Sequence, residues 1–124
     1  SPGGMADKAM TVEFVLSGQP FTALNGGPNF KFTEAVSFVV DCEDQAEVDR
    51  YWNALTADGG TESQCAWLKD RFGVSWQIVP RALPRLMSDP DPAKAQRVVQ
   101  AMLKMNKIIV ADLEAAHRGE AASA

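Results

Sequence analysis

The run CAWLKDRFGVSWQIVP, Cys65 to Pro80, constrains what this chain can fold into more than any other stretch. Apolar and polar residues alternate through Trp67 and Leu68, break at Lys69-Asp70-Arg71 with Gly73 behind, and alternate again through Val74, Trp76 and Ile78. That pattern predicts strand, tight turn, strand. Strand side chains alternate between faces, so Trp76 and Ile78 share one face while Ser75, Gln77 and Val79 take the other. The first face is built to pack and the second is polar enough to line a site.

The rest of the chain supplies partners for this hairpin. Met10, Val12, Phe14 and Leu16 alternate with Thr11, Glu13 and Val15 as a half-buried strand that stops at Ser17-Gly18. A second strand over residues 19–25 puts Phe21 and Ala23 on one face and Thr22 and Leu24 on the other, closing a hairpin that ends at Asn25-Gly26-Gly27-Pro28. No helix follows those glycines to add its dipole, so they read as a turn and not as a phosphate loop. Phe30 and Phe32 are expected to fold back over the sheet, and Ala35 to Cys42 forms a third strand with Val36, Phe38 and Val40 on one face and Ser37, Val39 and Asp41 on the other.

Asp44 and Glu47 have capping-box spacing, and Val48, Tyr51, Trp52 and Leu55 follow at helical intervals, predicting an amphipathic helix that ends near Asp58-Gly59-Gly60. Past Pro80, Leu83, Leu86 and Met87 suggest one helical turn. Asp91-Pro92 starts a helix whose stripe of Ala95, Val98, Val99, Met102 and Leu103 runs to about Met105. Ile108 to Val110 is expected to pack extended and Asp112 to His117 to make a final helical turn or two before a disordered tail. His117, beside that tail, reads as a solvated side chain. Ser1 to Ala9 reads as loop.

At 124 residues the chain is expected to form a single domain, residues 1–124. A net charge of −4, with Lys104 and Lys107 too thin a pair to make a basic patch, argues against nucleic acid as a partner. No apolar run approaches the roughly 18–20 residues of a membrane span. Cys42 and Cys65 are expected to be reduced thiols of a cytoplasmic protein, since no signal-peptide pattern precedes them and the core is large enough without a disulfide.

Three blocks carry a family resemblance: LNGGPNFKFTEAVSFVVDCEDQAEVDRYWNAL, CAWLKDRFGVSWQIVP and DPDPAKAQRVVQAMLKMNKI. Over roughly residues 10–115 the chain resembles the PhnB-like branch of the vicinal-oxygen-chelate superfamily, which also holds glyoxalase I, bleomycin-resistance proteins and extradiol dioxygenases. The resemblance implies an α+β fold in which βαβββ modules form an open curled mixed sheet around a cavity, with helices at the C-terminal end. Residues 35–80 resemble most of the second module, and the first module is incomplete. The strand, helix and strand that often precede the Met10 to Leu16 strand in relatives either lie outside this sequence or are replaced by a partner chain.

In metal-using members, His, Gln or Glu side chains near the first, fourth, fifth and eighth strands hold a divalent ion. The fifth-strand position corresponds to about Ser37 and the eighth to Gln77, while Thr22 to Asn25, the fourth-strand region, has no carboxylate. A Lewis-acid site needs about three good protein ligands, so the expectation is no tight metal and no cofactor. Many relatives are labelled demethylubiquinone methyltransferase, yet the sequence has no glycine-rich strand-to-helix turn for a methyl-donor nucleotide.

Two functional readings follow. The first is a metal-independent protein that binds a small molecule in a cavity lined by Thr22, Asn25, Ser37, Asp41, Cys65, Trp67, Ser75 and Gln77. The second is an enzyme acting on a small organic substrate in the same cavity, with Cys65, Asp41 or Asp70 as acid, base or nucleophile; a cysteine without a histidine partner argues against it. The edge strand at Met10 to Leu16, with Phe14 on it, predicts a homodimer in which elements are exchanged between chains.

Overall fold

The computed structural model describes residues 10–120, in the order β1 (Thr11–Leu16), β2 (Gln19–Leu24), β3 (Ser37–Cys42), α1 (Gln45–Thr56), β4 (Thr61–Glu62), β5 (Trp67–Lys69), β6 (Ser75–Pro80), α2 (Ala82–Met87), α3 (Pro92–Met102) and α4 (Val110–Arg118). The chain separates into two compact units, one reaching to Lys31 and the other starting at Phe32.

The first unit is the β1–β2 hairpin. Leu16 pairs with Gln19 across a two-residue loop in which Ser17 (φ 49°) and Gly18 (φ 78°) both take left-handed conformations. Such a turn has the twist that antiparallel strands need. The register pairs Phe14 with Phe21 and Val12 with Ala23, and the two phenyl rings stack with centroids 5.5 Å apart. β1 was expected to be half-buried, but all six of its residues are exposed, Phe14 at 42% among them. A two-stranded ribbon has no third layer of its own to cover an apolar face. β2 stops at Leu24, and Asn25 lies beyond it, its N–H donating to the Met10 carbonyl.

The second unit is a mixed four-stranded sheet in the order β3-β6-β5-β4. β3 runs parallel to β6, and β4, β5 and β6 form an antiparallel meander. The α1 crossover carries the chain from β3 to the far edge, so β6 returns beside β3 in a βαβββ unit. The fold is therefore α+β with helices at the C-terminal end, as the sequence implied, and the sheets are open and not curled.

α1 starts where the capping box placed it. Asp44 Oδ1 accepts from the Glu47 N–H at 3.0 Å, while Glu47 Oε1 reaches back to the Glu43 N–H at 2.7 Å, one residue before the cap. Its buried Val48 and Trp52 pack with Cys42, Leu68 and Ile78, and Val40, Tyr51, Leu55 and Trp76 close the cluster. The opposite face of the sheet meets the C-terminal helices at the Val79 end, where Val79 joins Ala66, Leu83, Val98, Ile108 and Leu113.

Several expectations need correction. β3 begins at Ser37, two residues later than expected, and Val36 is exposed. Phe30 and Phe32 are 94% and 65% exposed and do not fold back, because neither lies in a strand whose pleat would aim it at a core. α3 ends at Met102, and Leu103, assigned to its stripe, is half exposed because it lies past the last full turn. Val110 opens α4 instead of closing an extended segment, since Gln45 fixes the entry: its amide donates to the Ile108 carbonyl (2.9 Å) and accepts from the Val110 N–H (2.7 Å). His117 is not a solvated side chain, for its Nε2 lies 2.7 Å from Asp89 Oδ2 with both side chains about three-quarters buried. Arg97 donates to the Ala116 and His117 carbonyls that end α4. The loop expected over Ser1 to Ala9 and the tail after Glu120 lie outside the described residues.

Candidate functional site

The face of the sheet opposite α1 carries the polar side chains. β6 contributes Ser75 and Gln77, and its neighbours set the rows: Ser37 pairs with Ser75, Ser75 with Lys69, and Lys69 with Thr61. Paired residues point to the same face, so Ser37, Ser75, Lys69 and Thr61 form one polar rung across all four strands. With strands about 4.8 Å apart it spans roughly 14 Å. The adjacent rung is Val39, Gln77 and Trp67. Gln77 Nε2 donates to Ser37 Oγ at 2.9 Å, which ties the two rungs together.

A cavity of about 230 Å³ opens at this face, lined by Glu34, Thr61, Ser63, Trp67, Lys69 and Ser75 among others. Ser75 is 1% exposed and its Oγ has no hydrogen-bond partner among the described residues. A buried hydroxyl left unpaired costs on the order of 1–3 kcal/mol, which a ligand atom in the cavity would recover. At the rim Lys69 Nζ forms an ion pair with Glu34 Oε1. The hydrogen bond from Lys69, aided by its charge, holds the Glu34 carboxyl below its ordinary range.

Of the residues expected to line a site, Ser37, Trp67, Ser75 and Gln77 share this face. Asp41 shares it as well, exposed on edge strand β3 and paired with Val79 outside the two polar rungs. Cys65 belongs to no strand. It and Ala66 hold left-handed backbones (φ 56° and 77°), and their N–H groups donate to the Met105 and Asn106 carbonyls, so this corner serves to anchor the C-terminal segment. Thr22 and Asn25 lie in the hairpin unit.

Asp70, entertained as an acid or base, is held in the turn between β5 and β6. Its Oδ1 accepts from the Phe72 and Val74 N–H groups (2.9 and 3.0 Å) and its Oδ2 from Trp76 Nε1 (2.9 Å), so both oxygens are engaged in the turn. Cys42 is buried, and desolvation pushes its thiol up to about 11, far from a nucleophile at neutral pH. Both cysteines are free.

The sequence reading missed Lys69, Glu34, Thr61 and Ser63. Lys69 was assigned to the polar break, yet it lies two residues from Trp67 and period two puts it on the same face. Glu34 had no such signal, since it lies in coil and only the fold brings it to Lys69.

A divalent cation does not fit this donor set. The rung presents three hydroxyls and an ammonium, the Gln77 amide is already bonded to Ser37, and no cluster of three His, Cys, Asp or Glu side chains exists among the described residues. No helix among those residues is long and apolar enough to cross a membrane.

No curated protein matches the chain. Among solved structures it is similar to the PhnB protein of Bacillus cereus, at 31% identity and a TM-score of 0.51 over 57% of this chain, and to protein PA1353 of Pseudomonas aeruginosa, at 25% identity and a TM-score of 0.50 over 64%. The matched regions span 64% and 68% of those two chains, so this chain corresponds to under two thirds of the Bacillus protein. Residues 1–79 match the family model described as 3-demethylubiquinone-9 3-methyltransferase, and the chain belongs to that family.

Proposed function

We propose that the chain is a small-molecule-binding protein of the glyoxalase and bleomycin-resistance superfamily, using the open sheet face without a tight metal. The observation that carries this is Ser75: a hydroxyl buried to 1% exposure and unpaired among the described residues, beside a cavity and in line with Ser37 and Lys69. Buried polar groups are nearly always satisfied, so an unpaired one in a cavity wall marks a place for a ligand. Gln77 and Ser37 orient one another at the next position, and Trp67 supplies an apolar wall.

Methyl transfer has no comparable support. The junction from β3 to α1 runs through Glu43 and Asp44, whereas a nucleotide-binding turn there uses glycines to admit phosphate. Binding at the sheet face is tested by titrating a fragment library of neutral, cationic and anionic members into the isotopically labelled protein. Shifts at the amides of Ser37, Lys69, Ser75 and Gln77 that disappear in the Gln77→Ala, Ser75→Ala variant support the reading. Shifts confined to other elements refute it.

The reading includes a cytoplasmic homodimer with exchanged elements. Val12, Phe14 and Leu16 form one exposed apolar row on β1 (52%, 42% and 41%), the surface a second copy of the chain would cover. Light scattering at micromolar concentration is expected to give twice the chain mass; a monomer contradicts this part.

A further inference from the structure

We infer that the ligand of this face is a small carboxylate with a planar or apolar tail, and that Glu34 occupies the carboxylate position until the ligand displaces it. The inference rests on the binding reading above and specifies its ligand.

Two donors, Ser75 and Lys69, line the cavity side by side, and Ser37 stands next to Ser75 on the same rung. The Ser75 hydroxyl has no partner among the described residues. The Ser37 hydroxyl oxygen accepts from Gln77, which leaves its own proton to donate. Lys69 stands next to Ser75 on the same rung and carries a full positive charge. An unpaired hydroxyl beside an ammonium calls for an acceptor-rich anion, the role that Glu34 fills for Lys69 now, and ammonium and hydroxyl bonds to a carboxylate are about twice as strong as neutral ones.

The chain already shows what Lys69 binds, because the carboxylate of Glu34 is paired with it at the cavity rim. Glu34 precedes β3 in coil, and its side chain is 59% exposed against 43% for Lys69, so the pair is weak and opens at little cost. Trp67 lies two residues from Lys69 on the same face and lines the same cavity. A carboxylate at Lys69 and Ser75 therefore places its remaining atoms against the indole. The cavity, about 230 Å³, is smaller than the roughly 300–1,000 Å³ of sites for drug-sized ligands.

Benzoate, benzamide and benzylamine are close in size and shape and differ in charge. Each is titrated into the protein, with binding followed by Trp fluorescence and amide shifts. Benzoate is expected to bind and the other two to bind at least ten-fold more weakly. Glu34→Gln removes the internal competitor and is expected to tighten benzoate up to about five-fold, the range set by an exposed ion pair. Lys69→Gln is expected to loosen benzoate at least ten-fold with an unchanged far-ultraviolet circular dichroism spectrum. Added salt weakens binding to the wild type.

Benzamide or benzylamine shifting Ser75 and Gln77 while benzoate does not overturns the carboxylate assignment and leaves the binding reading standing. Glu34→Gln weakening benzoate overturns the competitor role. If no fragment of any charge shifts this face, the binding reading falls and this inference falls with it.

Discussion

Asp70→Ala is expected to unpin the β5–β6 turn on which the second unit depends. The carboxylate accepts three N–H groups, from Phe72, Val74 and the Trp76 indole, at 2.9 to 3.0 Å. The Phe72 N–H is exposed, so water replaces its partner at little cost. The Val74 N–H and the indole N–H are part-buried, and a part-buried donor stripped of its acceptor loses on the order of 1–3 kcal/mol. We expect a loss of roughly 2–4 kcal/mol in total. The main-chain bonds Asp70 N to Val74 O and Gly73 N to Asp70 O persist, and Gly73 keeps its left-handed φ of 89°, so the turn loosens without changing type. Asp70→Asn keeps Oδ1 for the two main-chain donors but sets an NH₂ against the indole N–H, for a loss of about 1–2 kcal/mol. Trp76→Phe in the Asp70→Ala background removes the stranded donor, so the double-mutant cycle should show a coupling of about 1 kcal/mol. Urea unfolding followed by fluorescence and circular dichroism reads these variants and the Trp76→Phe single that completes the cycle, with m unchanged if only stability moves. A loss for Asp70→Ala under about 0.5 kcal/mol, or additivity in the cycle, refutes the assignment of Asp70 to the turn.

Trp76→Ala should cost about 3 kcal/mol, the low end for a large aromatic because the ring is only partly buried against α1 and Phe38. Gln77→Ala, on the opposite face, should cost under about 1 kcal/mol, and equal losses in urea unfolding would show the faces to be misassigned. Gln45→Ala leaves the Ile108 carbonyl and the Val110 N–H without their side-chain partner and should cost about 1–3 kcal/mol, with hydrogen exchange rising at the start of α4. The hydrogen bond from His117 lowers the Asp89 pKa from its ordinary 3.8, so the linked stability is present above that value and fades as pH falls through the lowered one. Carbon-13 titration of His117→Gln should return Asp89 toward 3.8. Burial raises the Cys42 thiol to about 11, so mass spectrometry should find it unmodified by iodoacetamide at pH 8 in the folded protein and alkylated only in denaturant.

Period-two and period-3.6 patterns made the elements legible because each mirrors a local geometric rule. The alternation of Trp76 and Ile78 against Ser75 and Gln77 placed those faces correctly, and Asp44 with Glu47 located the start of α1. Residues whose partners are distant in sequence were not legible. Gln45 meets Ile108 and Val110, and Arg97 meets the end of α4, through contacts that no periodicity records. Lys69 was visible in principle, since its spacing from Trp67 fixes its face, but its charge made it resemble turn. Ser75 was read correctly as facing away from the core cluster of Ile78. That its hydroxyl would be both buried and unpaired among the described residues depends on neighbours from the two flanking strands.

The most direct measurement of the central claim is a crystal structure of the protein grown with benzoate. Density for a carboxylate within hydrogen-bonding distance of Ser75 Oγ and Lys69 Nζ, with the ring against Trp67 and Glu34 turned away, is the expected result. A benzoate bound elsewhere, or a Glu34–Lys69 pair intact beneath saturating ligand, contradicts it.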